Sequence, residues 1–193
     1  MKRYWVISLL LFYVGCGVPA IQSGYTNFNG EQDFFIKNDE FLKANFIQHT
    51  SAFPYRISTG NKMLFFHLYI VEATSRYGIK DYGLRAKFQY NSGGDWIFFD
   101  SVYLINEKGD RISWGNIKSW DKVTKVSGGG GTYESIDLLI NDFDLDLLRS
   151  VLMGKNVKCR FSGDFNNDRI LSEARRVGAV QTINLYGKLK ITK

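Results

Sequence analysis

Five residues near the C-terminus have the spacing of a metal loop. In Asp164-Phe165-Asn166-Asn167-Asp168, oxygen-bearing side chains fall at relative positions 1, 3 and 5, as they do where a loop wraps a calcium ion. The pattern then breaks. Position 6 is Arg169, where the loop needs glycine for a sharp turn, and position 12 is Arg175, where it needs a bidentate carboxylate. Asp164, Asn166 and Asp168 are therefore weak candidates for a partial cation site, and the simpler expectation is a polar turn leading into a final helix.

Other chemistry is thinner still. Gly128–Gly131 could cradle a phosphate, but Thr132-Tyr133-Glu134 follows in place of the Lys-Ser/Thr of a P-loop, so a hairpin loop is expected. His49 and His67 lack paired spacing and have no cysteine or acidic partner in a metal motif. His67 lies in an aromatic run and is expected to pack within a sheet. Asp142, Asp144 and Asp146 could supply the two carboxylates of a glycosidase, yet their place at the start of a short amphipathic stretch makes them the N-terminal charges of a helix. Cys159 alternates with Val157 and Phe161, which predicts a buried thiol rather than a nucleophile. These observations imply no catalytic residue, cofactor or firm metal site.

The N-terminus carries the clearest pattern. Lys2 and Arg3 precede an apolar run from Tyr4 to Val14, and small residues surround Gly15, which is the layout of a secretory signal peptide. The run is about half the ~20 residues that a spanning helix needs. The stretch Tyr13-Val14-Gly15-Cys16 resembles the lipobox of bacterial lipoproteins, with Tyr13 standing where that family usually has an aliphatic residue. The resemblance covers about 16 residues. It implies a signal peptide over 1–15, diacylglycerol attachment at Cys16, and a chain held to a membrane in the cell envelope. A second cleavage site after Val18-Pro19-Ala20 would instead release a secreted or periplasmic soluble protein beginning at Ile21.

Behind that address, residues 16–33 are polar and rich in small residues and turn signals, and are expected to form a tether; 34–193 are expected to form one globular domain. Fifteen Phe and 11 Tyr against two Pro tilt this domain toward strands. Losing residues 1–15 removes Lys2 and Arg3 and lowers the formal charge from +6 to about +4. The remaining cations are dispersed, which argues against nucleic acid as a partner.

Alternation predicts a central strand over Lys62–Ala73, apolar on both faces, and a hairpin over Gly83–Ile105 turning at Asn91-Ser92-Gly93-Gly94. Shorter strands are expected at Arg111–Trp114, Lys122–Val126, Tyr133–Ile140 and Asn156–Ser162. Helices are expected at Asn38–Phe46, at Asp142–Met153 and from Ser172 onward, the last with Val177, Val180 and Ile183 as its apolar stripe. The whole predicts a mainly β protein, an antiparallel β-sandwich with short helices that include a C-terminal one. Trp96, Phe98, Phe99, Tyr103, Trp114 and Trp120 are expected mostly to fill the core, the alternative being an exposed binding patch, since sequence cannot separate burial from exposure. The functional expectation is a membrane-anchored, non-enzymatic binding or interaction module for an envelope protein or ligand. The alternative is a secreted or anchored hydrolase whose site is assembled from residues distant in sequence.

Overall fold

The structure, a computed structural model, describes residues 25–52, 63–92, 96–126 and 132–191. Eleven strands and two helices are defined among them: β1 Tyr25–Phe28, β2 Glu31–Asp39, β3 Ala44–His49, β4 Met63–Thr74, β5 Lys80–Ser92, β6 Ser101–Ile105, β7 Arg111–Trp114, β8 Lys122–Val126, β9 Thr132–Leu139, α1 Asp142–Met153, β10 Lys158–Ser162, β11 Asn166–Ile170 and α2 Glu173–Ile191. The strands form two antiparallel sheets. The large one has the order β1-β2-β3-β4-β5-β9-β8 and the small one β11-β10-β6-β7. The mainly β, two-sheet architecture with a C-terminal helix is the one the sequence predicts.

The period-2 pattern of β4 and β5 builds the centre. Their pairing runs from Met63 opposite Asn91 to Thr74 opposite Lys80. It sets Phe66, Leu68 and Ile70 beside Phe88, Ala86 and Leu84 on one face, all buried. Two different layers cover that face. Over β5 and β9 lies the small sheet, with Phe88 against Trp114 (ring centroids 5.2 Å) and Tyr90 against Phe161 (5.6 Å). Over β3, β4 and the adjoining part of β5 lies α2, which buries Ala179, Thr182, Ile183 and Tyr186 at helical spacing. Of the expected stripe, Ile183 is buried here and Val180 packs partly buried against the core. Gly178 lets the helix sink onto His49 and Ser51, where a Cβ would run into Ser51 Oγ and His49 Nδ1, and the closest face is therefore set by the glycine. Val177 is left partly exposed.

Three further expectations are corrected. Residues 25–33, assigned to the tether, form β1 and the start of β2, and Phe28 is buried in the core. The apolar residue needed to hold an edge strand was hidden among breakers. The helix expected over Asn38–Phe46 is the end of β2, a turn and the start of β3. Asp39 Oδ1 accepts from the N–H groups of Phe41 (3.1 Å) and Leu42 (3.0 Å), which closes an Asx turn where the sequence predicts the start of a helix.

The hairpin expected over Gly83–Ile105 does not form either. Both edges of β5 are taken, by β4 and by β9, so β5 has no free edge for a hairpin partner. It passes to the small sheet, where β6 pairs with β7 and β10. Glu134, facing inward from β9, secures this crossover: its Oε2 accepts from the N–H groups of Ile97 (3.1 Å) and Phe98 (3.0 Å). Lys122 lies 3.6 Å from Oε1 and donates to the carbonyl of Phe99, and both side chains are buried. Residues 1–24, including Cys16 and the segment expected to be a signal peptide, and the loop Gly128–Gly131 lie outside the described residues.

Candidate functional site: the outer face of the small sheet

The register of the small sheet assigns its solvent side. In β10, Cys159 and Phe161 point into the core and are fully buried, so Lys158, Arg160 and Ser162 face outward. Lys158 stands between Ile170 of β11 and Ile105 of β6, and Ile105 in turn stands opposite Arg111 of β7. The next row runs Asp168, Arg160, Tyr103, Ser113. With strands about 4.8 Å apart, Lys158 and Arg111 are about 10 Å apart across Ile105. Of these, Tyr103, Ile105, Arg111, Lys158, Arg160 and Asp168 line an open groove of about 480 Å³ together with Ser162 and Asn166.

The face is cationic and partly apolar. Arg160 donates to Asp168 through two parallel bonds, Nε to Oδ1 and Nη2 to Oδ2, each 2.6 Å. The guanidinium holds the Asp168 carboxyl below the usual carboxylate range. Lys158 and Arg111 have no ion pair among the described residues. Three cations thus meet one carboxylate. Tyr103 and Ile105 are each 39% exposed, and Ile170 more so. Tyr103 and the exposed Phe98 and Trp120 belong to the aromatic set that the sequence leaves undecided, whereas Phe99 is buried and Trp114 lies against the core.

The calcium-like segment maps onto one edge of this face. Asp164 sits in the turn, with its N–H bonded to the carbonyl of Ile97, and Asn166 and Asp168 lie on β11. The expected polar turn into a helix is thus a β10–β11 hairpin. A strand carries its side chains away from the chain instead of wrapping a cation, and Arg160 engages both carboxylate oxygens of Asp168. Among the described residues there is no group of three His, Cys, Asp or Glu side chains placed to hold a metal.

The other reactive groups are packed or paired. Cys159 is fully buried, and burial pushes its thiol well above the ordinary range. Burial, with Lys87 and Arg175 nearby, lowers His67 to about 3, so its ring is neutral at physiological pH. His49 is lowered by burial as well, and its Nδ1 is engaged by Ser51. On the outer face of the large sheet, Tyr69 donates to Asp137, which also receives Arg85 Nε at 2.8 Å. Burial and the Asp137 carboxylate both push the Tyr69 phenol upward, away from a phenolate. Asp142 and Asp144 lie in the first turn of α1, where Asn141 is the cap and accepts from the Asp144 N–H at 2.8 Å. They serve as the helix-terminal charges that the sequence suggests.

No protein-family model matches this chain, and no curated protein sequence matches it. Among solved structures it is similar to invasion associated protein b from Bartonella henselae, at 12% identity and a TM-score of 0.38, over 86% of this chain and 98% of that one. No helix among the described residues is long and apolar enough to cross a membrane.

Proposed function

We propose that this chain is an exported envelope lipoprotein, anchored through Cys16, whose sandwich is a binding module for an anionic envelope component. The observation that supports the binding role is the outer face of the small sheet: Arg111, Lys158 and Arg160 flank the exposed Tyr103 and Ile105, and Asp168 is the only carboxylate in the groove. Aromatic and aliphatic side chains give area, and cations that lack carboxylate partners give attraction for negative charge. The face is open and shallow, as suits a polymer or a headgroup laid across it. The supposed tether is shortened by the strands at Tyr25–Phe28 and Glu31–Asp39, so eight residues lie between Cys16 and the domain.

Two measurements test the two halves of the proposal. Intact mass and detergent partitioning of the full chain expressed in bacteria should show a lipid-sized increment and detergent-phase recovery, both lost in Cys16→Ala. A soluble product starting at Ile21 would remove the anchor. For the face, the full chain should be retained on heparin, used as a polyanionic glycan, and Arg111→Glu/Lys158→Glu should abolish retention while leaving the unfolding midpoint in place. Equal retention of the variant would dismiss this face as the binding surface.

A further inference from the structure

We infer that the end of the large sheet formed by the β2–β3 and β4–β5 turns is a membrane-docking surface that seats the domain on the lipid interface. This deepens the anchored reading and rests on it for the length of the leash, while the geometry of the turns stands without it. Ala44 pairs with Ala73, so the two turns lie side by side at one end of the sheet. Each thrusts large apolar side chains into solvent. Phe41 is 100% and Leu42 66% exposed on the first, and Tyr77 is 73% and Ile79 64% exposed on the second.

Both turns are built to hold these residues out. Asp39 Oδ1 accepts from two N–H groups of the first, and Lys43 takes φ +50°. In the second, Ser75 Oγ accepts from the N–H groups of Tyr77 (3.3 Å) and Ile79 (3.1 Å), Gly78 takes φ +78°, and Arg76 lies over the Tyr77 ring at 4.7 Å. Aromatic and aliphatic tips next to Arg and Lys are what the interfacial zone of a bilayer accommodates.

The path of the chain selects a membrane over other occupants. Tyr25 pairs with Lys37, two residues short of the end of β2, so the N-terminal segment reaches the domain at this same end. Eight residues separate Cys16 from Tyr25, and the nine Cα–Cα steps limit the leash to about 30 Å even when fully extended. A lipid on Cys16 therefore keeps the apolar turns within reach of the bilayer. Lys37, Lys43, Arg76 and Lys80 are balanced there by Asp39, Glu40, Glu72 and Asp81, so apolar burial drives docking and charge does not.

The test uses the full chain with Phe41→Cys, Tyr77→Cys or Gln32→Cys carrying an environment-sensitive fluorophore, on phosphatidylethanolamine/phosphatidylglycerol vesicles containing brominated lipid. Cys159 is buried, and Gln32 lies toward the opposite end of β2. Quenching is expected at 41 and 77, weak at 32, and unchanged in high salt; Phe41→Asp/Tyr77→Asp should dock about tenfold or more less well. If mass shows lipid on Cys16 yet all three probes stay equally wet, the docking surface is overturned and the anchor survives. If mass shows no lipid, the anchor fails, and the same probes in a Cys16→Ala background decide the docking surface alone, in favour if 41 and 77 are quenched and against if they are not. Quenching abolished by salt, or turns that stay wet but cross-link to an envelope protein, would also overturn it.

Discussion

The two surfaces proposed to act outward differ in chemistry and in how the chain makes them. The groove on the small sheet is a strand face, cationic and half apolar, produced by alternation along β10, β6 and β7. The turn end of the large sheet is charge-balanced and strongly apolar at its tips, and it exists because two hairpins happen to end side by side. A strand face tolerates a mixture of cations and apolar side chains because its opposite side anchors it in the core. A turn has no opposite side, so its exposed residues must be held by its own hydrogen bonds, as Asp39 and Ser75 do. The groove should respond to salt and the turns should not.

The groove-bearing sheet depends on one join that the turn end does not share. Glu134 ties the Ile97–Phe98 crossover to the large sheet and pairs with Lys122 in the interior. Glu134→Ala leaves the buried Lys122 ammonium without its counter-charge and two amides without their acceptor, so a loss of about 3–5 kcal/mol is expected from denaturant unfolding. Because the same contact holds the groove-bearing sheet, heparin retention should fall together with stability. A variant that unfolds at the wild-type midpoint would mean that the crossover is held otherwise.

A smaller change should separate the halves. Gly178→Ala drives a methyl into Ser51 and His49 beneath the half of the sheet that carries the β2–β3 turn. Overpacking of this kind costs about 1–3 kcal/mol, and the helix propensity gained by alanine offsets at most about 1. The expected outcome is a lowered thermal midpoint with heparin retention intact, since α2 packs on β3, β4 and β5 and the groove lies on the outer face of the other layer. A rise in the midpoint would show that Ser51 turns aside at little cost.

Much of this was legible from residue order, and the failures have a common cause. Strands β4, β7, β8 and β9 and helix α1 follow from alternation and capping, because burial of one face is a local property of the sequence. The crossover after β5 was not legible. Nothing in Trp96–Ile105 records that β9 would return from 40 residues further on to occupy the free edge of β5. The groove was half legible: Lys158 and Arg160 flank Cys159 with the right period, but that Arg111 and Tyr103 join them depends on strand order. Asp168 misled because oxygen spacing cannot say whether a partner such as Arg160 is already engaged. The apolar turns were missed because Phe41 and Leu42 fit the amphipathic pattern of a helix equally well.

The smallest effect on stability comes from Asp168→Asn, and it should move stability and binding in opposite directions. The Arg160–Asp168 pair is half exposed and screened by water, so its loss should shift the unfolding midpoint little. Since the folded-state pKa of Asp168 is lowered, the stabilisation it gives is fully present above the ordinary Asp value of about 3.9 and is lost as pH falls through the lowered one. Wild type and variant should therefore differ at neutral pH and converge in acid. Meanwhile the substitution frees the Arg160 guanidinium and raises the formal charge of the groove from three cations against one carboxylate to three against none. Retention on heparin should strengthen, on the order of threefold at low salt, with the gain fading as salt rises. The turn end carries no share of this charge, so vesicle docking should stay unchanged. A variant that loses retention would mean that Asp168 holds Arg160 in the geometry the ligand needs, and that the pair acts as one recognition element instead of as a cation and its competitor.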